Sequence, residues 1–266
     1  MVSPIPRPIE VVGHGGAAAH HRPNSEASLC AAIAFGVDRI EIDLSLAADG
    51  TLILHHGPSM STTTQGSAKI AALTLEKLQR LQPDLLTIDD AAEIIGGRLP
   101  LLLDAKSPGQ ATAIAAAVAR HRWTESAIVS STHAATLRRL HGLRPELRLG
   151  LSTGHWAGSA PTFVLRPVVR AGFAVVLPLT LPAALALIGA SDTMLRHESA
   201  TQMLVHLLHR AGTRVNLFTL DDDESIQRAI GLGVDSIISN RPDLVLRLLG
   251  RGGHRPAPTT VNRATG

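Results

Sequence analysis

Short apolar runs alternate along the chain with longer segments in which apolar residues recur every three to four positions. Runs of the first kind predict β-strands, and the periodic segments predict α-helices. The predicted strands cover 10–13, 39–46, 51–55, 99–104, 127–130, 147–151, 173–177, 214–219 and 236–239. The predicted helices cover 25–35, 74–81, 88–95, 110–120, 134–140, 200–211, 225–232 and 243–249. The stretch 178–197 has neither pattern and is expected to form a loop or short helices.

Alternating strands and helices predict an α/β fold with a parallel sheet covered by helices. If 51–55 is a hairpin partner or an extension of the strand before it, about eight strand–helix units remain. That number favours a closed (β/α)8 TIM barrel with a small inserted hairpin segment near 51–63. An open doubly wound sheet is the alternative, although no glycine-rich dinucleotide motif follows the first strand.

The 266 residues are 45% hydrophobic, which suits a single domain with a large core. We expect residues 1–250 to form one barrel domain. Residues 251–266 are rich in Gly, Pro, Arg and Thr and are predicted to be a disordered tail.

A pair of carboxylates is the first candidate for chemistry. Glu41 and Asp43 are two positions apart on a predicted strand, so both side chains point to the same face. Such a pair offers hard oxygen ligands suited to Mg²⁺ or Ca²⁺. His14 ends the first strand and His56 follows the third, and two histidines beside a bound cation can supply a general base and a general acid near neutral pH. The pattern predicts metal-assisted phosphate-ester chemistry.

A second same-face pair follows the strand LPLLLDAK. Catalytic residues of barrels lie at the C-terminal ends of the strands, which is where Asp104 and Lys106 fall. Asp104 would complete a three-carboxylate site for one divalent cation. Lys106 would face the phosphate as a point charge.

Charge, cysteine content and hydrophobic runs bear on the possible binding partners and on the cellular location. The net charge of +3 comes without a basic stripe interleaved with aromatic residues, so no nucleic-acid partner is expected. Cys30 is the only cysteine, and the N-terminal stretch does not resemble a signal peptide, so we expect a cytoplasmic protein. No run of 18 or more apolar residues predicts a transmembrane segment. The oligomeric state stays open.

Five segments carry a specific resemblance. They are GVDRIEIDLSLAADGTLILHHGP, LTLEKLQRL, RLPLLLDAK, VNLFTL and GLGVDSIISNRPD. In order and spacing, from Gly13 to Pro242, they are similar to the glycerophosphodiester phosphodiesterase family. The resemblance implies a TIM barrel that breaks a P–O bond of a phosphodiester with the help of one divalent cation.

The resemblance also implies residue roles. By this resemblance, His14 and His56 would be the acid/base pair, and Glu41, Asp43 and Asp104 would bind the cation. Lys106 would contact phosphate, and Phe218 stands where the family usually has a pocket tryptophan.

Several positions depart from the family pattern. They are Gly15 and Thr62 in place of arginines, Pro23 in place of a glutamate, Gly57 and Asn240 in place of aspartates, and Asp104 in place of a longer glutamate. We therefore expect a retained metal–phosphate core beside a pocket that is wider and less positive near Gly15 and Gly57. Arg22, with His20 and His21, is the candidate for substitute positive charge.

The leading hypothesis is a metal-dependent phosphodiesterase acting on a glycerophosphodiester-like or other small or lipid-derived phosphodiester. One alternative is an intramolecular transesterase, similar to the phospholipase D toxins, which would release a cyclic phosphate. Another is a repurposed barrel that only binds a phosphorylated ligand, which the missing arginines would favour.

Overall fold

The computed structural model describes residues 8–62, 66–153 and 165–252. At 62 and 165–175 the description covers the backbone only. Eleven strands occur in this part of the chain. They are β1 (Glu10–Gly13), β2 (Arg39–Leu46), β3 (Leu52–Leu54), β4 (Ser59–Thr62), β5 (Gly66–Lys69), β6 (Leu101–Ala105), β7 (Ala127–Ser131), β8 (Arg148–Ser152), β9 (Asp192–Arg196), β10 (Arg214–Phe218) and β11 (Ser236–Ser239).

Nine α-helices lie in the same described ranges. They are α1 (Glu26–Phe35), α2 (Leu75–Leu81), α3 (Ile88–Ile95), α4 (Ala111–Arg120), α5 (Ala134–Leu143), α6 (Leu165–Ile188), α7 (Gln202–Arg210), α8 (Asp223–Leu232) and α9 (Pro242–Leu248). Short 3-10 helices lie at Ile70–Ala72 and His197–Ser199.

Eight parallel strands close into a barrel. Their order is β1, β11, β10, β9, β8, β7, β6 and β2, and pairing of β1 with β2 closes the ring. The strand β3 pairs antiparallel with the end of β2, and β4 and β5 form a separate antiparallel hairpin. The predicted (β/α)8 TIM barrel with an inserted hairpin segment is confirmed.

One predicted strand is wrong. Residues 173–177 belong to α6, and the strand that occupies this place in the barrel is β9, within the stretch expected to be loops or short helices. The strand β9 begins with Asp192 and Thr193, which are fully buried. Because this strand begins with polar residues, the pattern of apolar runs does not indicate it. A short apolar run such as 173–177, in turn, fits a helix as well as a strand.

Alternation of side chains along the strands separates two apolar layers. Residues such as Val11 and Val129 point outward and join the large core beneath the helices. A smaller cluster fills the inside of the barrel, and its members are Val12, Leu102, Ile128, Met194 and Ile238, with Phe218 packed against it. This inner layer forms an apolar floor under the C-terminal ends of the strands.

The boundary expected at residue 250 stays a prediction, because residues 253–266 lie outside the described part. Arg251, the first residue of the predicted tail, donates two hydrogen bonds to the Asp38 carboxylate, at 2.7 and 2.6 Å. Among the described helices, none is both long enough and apolar enough to cross a lipid bilayer.

Candidate active site

Three carboxylates converge at the C-terminal ends of two neighbouring strands. Asp43 of β2 and Asp104 of β6 are partners in the parallel register, and Glu41 lies two residues before Asp43 on the same face. One oxygen from each of the three lies within 4.8 Å of the others. The structure therefore brings together all three predicted metal ligands in a geometry that can hold a cation.

Each carboxylate is oriented by its own hydrogen-bond donor. The Gly15 amide donates to Glu41 Oε2 at 2.7 Å, and Ser130 Oγ donates to Asp104 Oδ1 at 2.7 Å. Asn24 bonds twice to Asp43: its Nδ2 donates to the carboxylate at 2.7 Å, and its Oδ1 accepts from the backbone amide at 3.1 Å. These contacts pre-arrange the three carboxylates for an incoming ion.

Lys106 supplies a positive charge at the carboxylates. Its Nζ lies 2.8 Å from Asp43 Oδ1 and also pairs with Asp104. Burial opposes protonation of Lys106, but Asp104, Asp43 and Glu41 outweigh it and raise the pKa of this lysine. With all groups ionised, three carboxylates and one ammonium leave two uncompensated negative charges, which a divalent cation would neutralise.

A second observation supports a metal at this place. Asp43 Oδ1 is buried, and the Lys106 ammonium at 2.8 Å is its charge partner in the metal-free site. A buried carboxylate oxygen needs such a positive partner, and a bound cation would serve the same purpose. Together with the oxygen-only ligand set, this fits Mg²⁺ or Ca²⁺ rather than a softer metal.

Burial makes the two carboxylates of β2 unequal. Desolvation, reinforced by the charge of Asp43, raises the pKa of Glu41 to about 8. Desolvation also acts on Asp43, but the Lys106 ammonium outweighs it and holds the pKa of Asp43 below its usual value. In the metal-free site near neutral pH, protonation of the Glu41 carboxyl is therefore favoured over protonation of Asp43.

His14 stands beside the carboxylates with a fixed orientation. Its Nε2 lies 4.0 Å from Glu41 Oε2, and its Nδ1 lies 2.7 Å from Asn240 Oδ1. Asn240 Nδ2 donates to Asp221 Oδ2 at 2.6 Å, which turns the amide oxygen toward the histidine. His14 therefore donates through Nδ1 and keeps Nε2 free to exchange protons. Burial disfavours its charged form, but Glu41, the Asn240 hydrogen bond and Asp43 together raise the pKa of His14.

The strand register separates the two consecutive histidines after β3. His56 lines the cavity with His14, and desolvation lowers its pKa despite the opposing charge of Asp43. His55 points elsewhere and accepts a hydrogen bond at Nδ1 from the Gly57 amide at 3.0 Å. This placement agrees with the sequence-based assignment of His56, and not His55, to the site.

The candidate catalytic cavity, called the catalytic cavity from here on, measures about 270 Å³ and is lined by six of the eight predicted site residues. Phe218 forms part of its wall while also packing against the inner apolar layer. Arg22 is not brought to this cavity. Its guanidinium pairs with Asp84 at 2.6 Å on the surface, and the neighbouring His20 pairs with Asp243 at 2.8 Å.

Pro23 packs directly against Gly15, and the wider pocket expected near Gly15 and Gly57 stays a prediction. Gly15 has a φ of +53°, and a Cβ at this position would lie 2.8 Å from Pro23 Cβ. Pro23 stands where the family has a glutamate, so two departures touch each other. Neither Gly15 nor Gly57 is among the described residues that line the catalytic cavity.

Several site residues were missed by the sequence reasoning. Asn24, Asp221 and Ser130 hold functional side chains in place, and Arg196 and Thr219 line the cavity. Asn24 could have been found, because it directly follows Pro23, a position already compared with the family pattern. Asp221 and Arg196 carry no local signal, because only the closure of the barrel brings them near the site.

Comparison with known proteins agrees with this geometry. Residues 14–118 and 104–244 match the sequence model of the glycerophosphoryl diester phosphodiesterase family. A glycerophosphodiester phosphodiesterase of Caldanaerobacter subterraneus subsp. tengcongensis is 24% identical over 267 residues, which cover 91% of this chain and 98% of that protein.

Solved structures share the fold. A phosphodiesterase of Oleispira antarctica, determined in complex with its product sn-glycerol-3-phosphate, matches with a TM-score of 0.75 at 22% identity, over 91% of this chain and 96% of that one. A glycerophosphodiester phosphodiesterase of Thermotoga maritima matches with a TM-score of 0.71 at 17% identity, over 91% and 99% of the two chains.

Proposed function

Because this chain belongs to the glycerophosphoryl diester phosphodiesterase family, whose members are phosphoric diester hydrolases, we propose that it hydrolyses a glycerophosphodiester-like phosphodiester by metal-assisted acid–base catalysis. One observation carries the proposal. His14 and His56 face the same cavity as Glu41 and Asp104, and Lys106 supplies a cation for the phosphate there. A product complex of the Oleispira antarctica relative supports a small phosphorylated ligand of this type.

The cofactor in this proposal is one Mg²⁺ or Ca²⁺ held by Glu41, Asp43 and Asp104. When bound, such an ion neutralises a non-bridging phosphate oxygen and lowers the barrier to attack at phosphorus. The departure of Asp104 from the longer glutamate does not remove its oxygens from the group.

The two histidines divide the proton transfers. One imidazole takes a proton from the attacking oxygen, which is water or a substrate hydroxyl whose cyclic ester water then opens, while a new P–O bond forms. The other gives a proton to the leaving alkoxide as the old P–O bond breaks. For His14 the exchanging atom is Nε2, since Nδ1 is engaged by Asn240. Lys106 can hold a phosphate oxygen throughout, as a charge-assisted hydrogen-bond donor.

The test is a metal-dependent assay of the purified chain on a panel of phosphodiesters, with chelator and with added Mg²⁺ or Ca²⁺. We expect chelation to abolish turnover. We also expect Glu41→Gln to abolish it while circular dichroism shows an intact fold. Unchanged turnover in Glu41→Gln would remove the proposed metal site, and no turnover on any diester would favour a barrel that only binds ligand.

Phosphorus NMR of the products separates hydrolysis from the alternative transesterase. Hydrolysis yields a phosphomonoester, whereas a persistent cyclic phosphate would identify the lyase-like reaction. The cytoplasmic location expected from the sequence stays a prediction, which fractionation of the source cells would test.

A further inference from the structure

A second cavity lies beside the catalytic one, over the C-terminal ends of β7 and β8 and against α6. It measures about 280 Å³. Aliphatic side chains, among them Leu151, Leu181 and Ile188, make up just over half of its described wall, and the hydroxyl groups of Thr153, Thr180 and Ser199 lie between them. Among the described lining residues, Arg196 alone is charged.

The two cavities adjoin and share a polar neck. Thr132, Ser152 and Arg196 line both of them. The catalytic side of the neck carries the carboxylates, Lys106 and the histidines, and the other side is aliphatic. A ligand that spans the neck would therefore have a phosphate at one end and an apolar group at the other.

We infer that the enzyme acts on phosphodiesters in which one ester alcohol carries a single alkyl or acyl chain, and that this chain occupies the aliphatic cavity. The inference rests on the proposed function, and it names the substrate class for that site. A fully polar diester would leave the aliphatic walls in contact with water, whereas a chain would remove them from water at a gain proportional to the area buried. An aliphatic cavity of about 150 Å³ is known to hold a benzene ring, so 280 Å³ has room for a short chain.

The position of Gly15 is consistent with this placement of the chain. Pro23 packs directly against Gly15, since a Cβ at Gly15 would lie 2.8 Å from Pro23 Cβ. The aliphatic cavity on the α6 side offers room for a bulky alcohol group.

The first experiment compares substrates that differ only in the chain. Glycerophosphocholine and monoacyl glycerophosphocholines of increasing chain length, kept below their critical micelle concentrations, are assayed with the metal-loaded enzyme. We expect kcat/KM to rise by up to about fourfold per methylene, the value for burial of one methylene, until the chain fills the cavity. A chain-independent kcat/KM would overturn the inference while leaving the proposed hydrolysis in place.

Two neighbouring alanines of α6 give a matched pair of variants. Ala184 lines the cavity, whereas Ala183 is exposed on the outside of the same helix. Ala184→Phe should reduce the ratio of kcat/KM between the longest and the chain-free substrate to near one, and Ala183→Phe should leave that ratio unchanged. Ala184→Leu adds less volume and should give an intermediate ratio. It replaces the phenylalanine variant in the comparison if thermal unfolding shows that Ala184→Phe is not folded. Equal ratios in folded Ala184 and Ala183 variants would contradict the inference.

A binding measurement distinguishes failure of the substrate class from failure of the proposed function. Calorimetry with methyl and octyl phosphocholine needs no turnover. Tighter binding of the octyl ester with a negative heat-capacity change, lost in the Ala184 variants, would establish the cavity as a chain site even if no diester were hydrolysed. Equal binding of both esters would reject the chain site whatever the hydrolytic activity.

Discussion

Protonation of Glu41 governs how readily the metal-free site takes up a cation. Its pKa of about 8 means that the carboxyl is mostly protonated at pH 7, and a metal ion must displace this proton. We expect the affinity for Mg²⁺ to fall by up to about tenfold per pH unit below pH 8, and to level off above it.

Calorimetry at several pH values, in buffers of different ionisation enthalpy, measures both the affinity and the released proton. The variant Glu26→Gln, which changes an exposed glutamate of α1, is the control and should retain the whole pH profile. A pH-independent affinity with no proton release would mean that Glu41 is already ionised at neutral pH.

The histidines provide a test of both role and register. Removing a positioned acid or base costs about 10²–10⁴ in rate. We expect His14→Ala and His56→Ala each to lose at least 10² in kcat, because both side chains line the catalytic cavity. His55→Ala should be much milder, since the His55 ring bonds to its own turn at Gly57 and is not among the described residues that line the catalytic cavity.

Steady-state kinetics of the three variants, with thermal unfolding to confirm folding, give the ranking. A larger loss in His55→Ala than in His56→Ala would show that the assignment of these two neighbours is reversed.

At the level of elements, the loop after β1 depends on the contact between Gly15 and Pro23. Gly15→Ala should destabilise the protein by more than the roughly 1–2 kcal/mol of a left-handed non-glycine residue, because its Cβ would overlap Pro23. Gly36→Ala is the matched control. Gly36 also has a positive φ, of +80°, but a Cβ there meets nothing within 4 Å.

Urea unfolding compares the free energies of unfolding. Replacing Pro23 with alanine in the Gly15→Ala background should recover the part of the loss that comes from the overlap. Equal losses for the two glycine variants would show that the proline contact contributes nothing.

The strand β9 depends on a buried charge. Asp192 is fully buried and accepts hydrogen bonds from Arg148 at 2.9 and 3.1 Å and from Ser191 at 2.8 Å. Asp192→Ala should lower the free energy of unfolding by about 1–3 kcal/mol, because Asn216 and Arg148 both lose a hydrogen-bond acceptor. The loss stays moderate because Arg148 is about one-third exposed and can bond to water instead.

Denaturant unfolding measures this loss as well. Glu76→Ala removes an exposed pair with Arg80 on α2 and should cost no more than about 0.5 kcal/mol. A similar small effect in both variants would mean that burial of Asp192 does not stabilise β9.

At the scale of the whole molecule, the described barrel ends with α9 and Arg251. We expect truncation after Gly252 to leave the melting temperature and kcat/KM unchanged, in agreement with the predicted tail. Arg251→Ala should cost no more than about 1 kcal/mol, because its pair with Asp38 is partly exposed. A lower melting temperature in the truncated chain would place residues of 253–266 in the folded domain.

The repeating pattern of the chain was sufficient for the class of fold and for the grouping of three carboxylates, although it misplaced the strand β9. Parallel strands place their C-terminal ends at one edge, so Glu41, Asp43 and Asp104 could be expected to meet there from their positions along the chain. Their residue types then fix the chemistry of the site, since three carboxylates favour a hard divalent cation.

Tertiary structure alone decided the rest. Asp221 orients His14 through Asn240 from more than 200 residues away, and no local pattern carries such a contact. Arg22 was expected in the site by sequence proximity, yet a surface carboxylate of another loop, Asp84, holds it away.

The sequence by itself determined which carboxylates and histidines meet and the order in which the barrel presents them. It did so because the periods of strands and helices, and the ligand preferences of carboxylates, are local properties. The shape of the site was decided only in three dimensions. The polar strand β9, the contact of Pro23 with Gly15 and the aliphatic cavity under α6 each depend on residues distant in sequence, whose packing is set when the barrel closes.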